Sequence, residues 1–244
     1  MSFHSQKGAK NYSTHPGGVL ILGDCIDVMR CMPSRSVDFI LTDPPYLIDY
    51  KSRDGRGIEN DIDDAWLAPA FQEAFRLLKP NSFCVSFYGW SKCDRFMNAW
   101  KQAGFHIVGH LTFVKSYSSK QTFVSYCHEN AFLLAKGDPE KPQNPINDVF
   151  RFEYTGNKLH PTQKPVEPLR QLIRSFSKSG DVVLDPFSGS GSTAIAARLE
   201  NREFLMVEKM QEYFDITQRR LAKTVSVPPI KHRPVKRPSV KQVD

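Results

Sequence analysis

The segment DVVLDPFSGSGSTAIAARLENREFLMVE, residues 181–208, constrains the fold most. An apolar run ends in an acid, a turn with two glycines follows, then a helix-spaced run, then a second apolar run ending in another acid. Strands joined through a helix lie parallel, because a parallel pair needs a long crossover. Further strands are predicted at GGVLILGD (Gly17 to Asp24), Val37 to Thr42, SFCVSF, FHIVGHLTF and ENAFLLAK. IDVMRCM has helical spacing, and so do Trp66 to Leu78, Val166 to Phe176 and Met210 to Ala222. Lys79-Pro80-Asn81 is expected to stop the second of these helices. A further helix is expected from an N-cap at Ser91 through Ala103, with Gly104 as its C-cap. From Gly137 to His160 no period is visible. The pattern predicts one doubly wound, mostly parallel α/β sheet covered by helices on both faces. Its boundaries are an N-terminal extension at 1–16, a folded body at 17–222 and a basic, proline-bearing tail at 223–244.

A chain of 244 residues with 40% hydrophobic and 24% charged residues can bury a core of that size. The N-terminus has no signal-like apolar run, and no segment has spanning length. The chain is therefore expected to be cytoplasmic rather than membrane-bound. Five cysteines without a CxxC pair read as reduced thiols, and no metal is expected. The net charge of +7 is uneven, since residues 222–244 hold six cations against one acid. Such a tail suits either attraction to phosphate backbones or a solvated end.

The glycine turn narrows the ligand. Gly189 and Gly191 let a ligand approach the backbone, and the helix start at Ser192-Thr193 offers free N–H groups. Glu208 lies 19 residues after Gly189, where an acid can bond ribose hydroxyls. No lysine precedes the serine as in a phosphate-binding loop, and Ala194 stands where a dinucleotide fingerprint has its third glycine. Asp185 before the loop would repel pyrophosphate but could partner an ammonium group. S-adenosylmethionine, with an ammonium, a sulfonium, a ribose and no phosphate, fits this charge pattern.

VDFILTDPPY, Val37 to Tyr46, supplies the other half. Ligands of open α/β sheets bind outside the carboxyl ends of the strands. The Asp43 carboxylate and the Pro44 carbonyl are two acceptors for the N–H bonds of an exocyclic amino group, whose lone pair is otherwise delocalised. Proline has a fixed φ and no competing N–H. Tyr46 offers a face on which a flipped-out base can stack.

These residues resemble the amino-methylating DNA methyltransferases, whose motif is (D/N/S)PP(Y/F/W), from about Gly18 to Leu221. DPPY preceding the glycine loop corresponds to their circularly permuted β class. The resemblance implies a Rossmann-like S-adenosylmethionine-dependent fold whose first two strands lie near the C-terminus. It assigns catalysis to Asp43, Pro44, Pro45 and Tyr46. It assigns cofactor contacts to Asp24 and Cys25 in LILGDC, to His160, Thr162 and Lys164 in HPTQKP, and to Asp185, Pro186, Phe187, Gly189, Gly191, Ser192, Thr193 and Glu208. HEN, residues 128–130, also looks like a family segment. DPPY, with a carboxylate, favours adenine N6 over cytosine N4.

The expected substrate is double-stranded DNA bearing a short target sequence. Relatives of this class are often dimeric, and by that analogy alone a homodimer is a candidate assembly. The candidate recognition loops are 47–64, 114–127 and 137–158, with Arg53, Lys115, Lys120 and Gln121 as DNA contacts. Alternatives, in descending order, are cytosine-N4 methylation, RNA adenine methylation and a non-catalytic DNA-binding module.

Overall fold

The computed structural model describes residues 9–49, 61–118, 123–156 and 159–224. Nine strands among them form one sheet: β1 (Ala9–His15), β2 (Gly18–Gly23), β3 (Val37–Thr42), β4 (Leu78–Tyr88), β5 (His106–Lys115), β6 (His128–Lys136), β7 (Val149–Phe152), β8 (Val182–Asp185) and β9 (Glu203–Glu208). Their spatial order is β1-β2-β9-β8-β3-β4-β6-β5-β7. The run β2-β9-β8-β3-β4 is parallel throughout, as is β5 with β7. The pairs β1/β2, β4/β6 and β5/β6 are antiparallel. The chain turns outward in opposite directions from β8 and β3, which makes their carboxyl ends the switch point where an open α/β sheet binds its ligand.

Strand β3 is nearly all apolar because both of its faces are covered. Ile40 joins a core layer with Met29, Phe71 and Trp100, under α1 (Cys25–Arg30), α2 (Leu67–Leu77) and α3 (Cys93–Ala103). Its neighbours Phe39 and Leu41 point the other way, to Leu172, Ile195 and Phe214 of α4 (Val166–Phe176), α5 (Ser192–Leu199) and α6 (Gln211–Lys223). Alternation along one strand thus builds two layers of core. None of the described helices is long and apolar enough to cross a membrane.

Several elements differ from the sequence reading. Residues 9–15, assigned to an extension, form the antiparallel edge strand β1. α2 ends at Leu77, just before Lys79-Pro80-Asn81 as expected, but those residues lie inside β4, where the ladder slips. Val37 and Phe39 of β3 pair with Leu78 and Phe83, leaving the intervening residues out of register, with Asn81 at φ +56°. Proline is tolerated at such a bulge because no ladder bond is asked of it. Ser91 is not an N-cap: it lies in a 3-10 turn, Trp90–Lys92, that leads into α3. Gly104 does end α3, at φ +104°. The aperiodic stretch 137–160 contains β7, which is only four residues long and borrows its partner from β5. Most of the basic tail, residues 225–244, lies outside the described residues.

Candidate active site

Four acids stand at the carboxyl edge of the parallel strands: Asp24 after β2, Asp43 after β3, Asp185 ending β8 and Glu208 ending β9. All four line one cleft of about 1180 Å³, its open mouth included. The cleft wall also includes Pro44, Pro45, Tyr46, Cys25, His160, Thr162, Lys164, Pro186, Phe187, Gly189, Ser192 and Thr193. The fold therefore gathers the two sequence motifs, far apart in the chain, around one space. Gly191 stands apart from them. At φ +80° it packs on α6, where a Cβ would fall 2.4 Å from Thr217 Cγ2. It shapes the turn rather than the wall.

On the glycine side, Glu208 binds the loop itself. Its Oε2 accepts from Gly189 N at 2.8 Å and its Oε1 from Met210 N at 2.8 Å. A carboxylate oxygen has further acceptor capacity, so a hydroxyl can still be taken up. Asp185 is buried and accepts from Phe187 N at 3.1 Å. Burial pushes Asp185 and Glu208 each up to about 7. Asp24 caps α1 through Ile26 N at 3.0 Å, with Lys209 Nζ 3.6 Å away. The His160 ring rests on Tyr213 at 4.4 Å and lies over Gly189. Its Nδ1 accepts from Thr162 N at 3.2 Å, which places the ring proton of the neutral form on Nε2. Burial also pushes the Cys25 thiol up, so it is a packing group at this wall.

On the other side, Tyr46 Oη donates to Asp43 Oδ1 at 2.8 Å. Lys164 Nζ donates to Asp43 Oδ2 at 2.5 Å and lies 3.0 Å from Glu129 Oε2. Lys115 Nζ lies 2.6 Å from Glu129 Oε1. Lys164 is buried, and Ser192 Oγ donates to its backbone carbonyl at 2.8 Å, which ties this cluster to the start of α5. Burial raises the Asp43 pKa, Lys164 opposes that rise, Glu129 adds to it, and the net direction is upward.

One sequence expectation is corrected here. Lys115 is not a surface contact for phosphates: it is buried beside Glu129, because it shares a face of β5 with Leu111 and Phe113. Lys164, expected to hold the cofactor, lines the cleft, and its ammonium group lies on Asp43 and Glu129. Arg53, Lys120 and Gln121 lie outside the described residues. Glu129 falls in the HEN segment that resembles the family, though the sequence reading gave that acid no chemical role. Asp61 was not singled out by itself. It is buried and accepts from Leu47 N at 2.6 Å, holding the residue after Tyr46 at φ +62°. Gly89 follows β4, and a Cβ there would lie 2.6 Å from the Tyr46 carbonyl oxygen. The next residue, Trp90, is 63% exposed and stacks on Tyr126 at 5.5 Å. An aromatic pair with Trp90 exposed and Tyr126 half-buried thus stands beside the Tyr46 turn.

The cleft suits S-adenosylmethionine on its own chemistry. Ser188 Oγ and Gln163 Oε1, on residues that line it, are buried without a hydrogen-bond partner, and Asp185 adds an anionic group in reserve. Such a set answers a ligand with hydroxyls and a cation.

Residues 37–219 match the family of DNA methylases acting at N6 or N4. The chain is 52% identical over 202 residues to YubD of Escherichia coli (strain K12), a provisionally assigned methylase, covering 83% of this chain and 89% of that one. It resembles TTHA0409 of Thermus thermophilus, provisionally assigned as a DNA modification methylase and solved with S-adenosyl-L-methionine. There the TM-score is 0.66 and the identity 25%, over 84% of this chain and 93% of that one. PvuII DNA methyltransferase, cytosine-N4-specific, shares the fold with a TM-score of 0.69 at 17% identity, over 87% and 88% of the two chains.

Proposed function

The chain belongs to the amino-methylating DNA methylase family, and from that premise we propose that it methylates N6 of a flipped-out adenine in duplex DNA. Its cofactor is S-adenosylmethionine, which when bound supplies an electrophilic methyl group whose bond to sulfur breaks with the electron pair kept by sulfur. The residues held to bind it are Asp185 for the ammonium, Glu208 for the ribose and Asp24 for the adenine. The observation that carries the adenine reading is the Asp43 carboxylate, held at the switch point by Tyr46 and Lys164. Each Asp43 oxygen keeps acceptor capacity beyond the bond it already makes.

Asp43 and the Pro44 carbonyl accept the two amino hydrogens. That favours a tetrahedral nitrogen with its lone pair free to attack. Positive charge develops on this nitrogen as the N–C bond forms, and acceptors aimed at it lower the barrier. The surplus N–H proton passes to Asp43, which leaves the methylated amine neutral. A flipped base has to leave the stack to arrive here, and the stacked Trp90–Tyr126 pair, exposed at Trp90, lies where unstacked neighbours can rest. Incubating unmethylated DNA with methyl-labelled cofactor and digesting to nucleosides tests the reading. Label in N6-methyladenine is expected, and label confined to N4-methylcytosine overturns it.

A further inference from the structure

The chemistry above does not use Glu129, yet no other carboxylate among the described residues bridges two buried ammonium groups. Lys115, Glu129, Lys164 and Asp43 form a line of alternating charge with contacts of 2.6, 3.0 and 2.5 Å. Two cations and two anions leave the line neutral. A buried lysine facing Asp43 alone would hold that carboxylate in a tight one-to-one pair, a poor acceptor and a poor base. Glu129 competes for the same ammonium.

We infer that Glu129 is a positioning residue that draws the charge of Lys164 away from Asp43 and so keeps the Asp43 carboxylate basic enough to accept from the target amino group. This rests on Asp43 being the acceptor in the reaction. Lys115 is the counterweight: by bonding the far oxygen of Glu129 it sets how hard Glu129 pulls. The groups that face Asp43 are Tyr46 on its own loop, Lys164 on the segment before α4, Glu129 on β6 and Asp185 on β8. Although burial works against ionisation, Lys164 and Lys115 hold Glu129 down at about 2, so it stays anionic at every working pH. A tuning anion has to be permanent in this way.

The test is a carboxyl-carbon NMR titration of Asp43 in the full chain without cofactor or DNA, so that its outcome does not depend on which base is methylated. In Glu129→Gln the Asp43 titration is expected to move down by about one pH unit, because Lys164 is no longer shared. In Lys115→Met it is expected to move up, because Glu129 then leans wholly on Lys164. Opposite signs from two neighbouring buried sites do not arise from loosened packing. An unmoved Asp43, or movement in one direction in both variants, overturns the inference. Should Glu129→Gln not fold, Lys115→Met decides by itself, a rise supporting the inference and no rise ending it. In turnover, Glu129→Gln is expected to lower kcat about tenfold and shift the acidic limb of the rate profile downward, with KM for the cofactor held within about twofold.

Discussion

Asp43-Pro44 and Asp185-Pro186 are the same dipeptide at the same place, the carboxyl ends of the adjacent parallel strands β3 and β8. Their surroundings separate them. Asp43 lies within reach of a buried lysine, a tyrosine hydroxyl and a second carboxylate. Among the described residues Asp185 enters no salt bridge; burial takes it up to about 7, opposed by bonds from Thr193 and the Phe187 N–H. One aspartate is ion-paired and hydrogen-bonded where it would meet a neutral amine. The other waits for a cation, which is what an ammonium-bearing cofactor brings. Local sequence placed both acids, and their neighbours divided the work.

The hardest test of that division is the pair of neutralised acids. Asp43→Asn is expected to lower single-turnover methyl transfer by at least about 1000-fold while cofactor affinity by calorimetry stays within about threefold. Asp185→Asn is expected to weaken cofactor binding by about 30-fold, near ~2 kcal/mol for a lost charged hydrogen bond. If both variants lose the same parameter, the two aspartates are not distinct in role.

Glycines next to each half give a second, smaller probe. Gly191→Ala forces a Cβ against Thr217 at a positive φ, and its cost is expected to be about 2–4 kcal/mol in chemical unfolding, with weakened cofactor binding. Gly89→Ala presses on the Tyr46 carbonyl instead. It should lower kcat and spare cofactor affinity, a split that steady-state kinetics resolves.

Acidity separates the halves more gently. Asp185 and Glu208 have folded values of about 7, above those of unfolded carboxylates. The stability they contribute is therefore fully present below the unfolded values and is lost as pH rises through about 7. A cofactor cation that binds ionised Asp185 should do so with affinity rising about tenfold per pH unit below 7 and levelling above it. Calorimetry across pH 5–8 checks this, and an affinity independent of pH would remove the cation from Asp185. The smallest effect is expected at Lys209, a partly exposed partner of Asp24. Lys209→Ala should change cofactor affinity by less than about twofold.

Much of the fold was legible because it is written in short, contiguous signals. The predicted bounds of β3 and α4 coincide with those observed, since a strand apolar on both faces and a helix with one apolar stripe each declare their period. β7 escaped notice because four residues hold no period, and β1 because an exposed edge strand alternates weakly. In the site, DPPY and the glycine loop were readable as local strings. Lys115 was misplaced on the surface because a single lysine after apolar residues looks solvent-facing until the sheet buries it.

By itself the chain's order of residues determined which atoms were available: two strand-end acids with rigid prolines, a glycine turn and a family signature. Only the tertiary structure decided their charge states and partners. Residues 43, 115, 129 and 164 come from four separate segments, and they meet because β6 runs antiparallel to both β4 and β5, which returns its first residues to the carboxyl edge. Electrostatic pairing depends on distance and burial in three dimensions, and neither is encoded in the spacing along one.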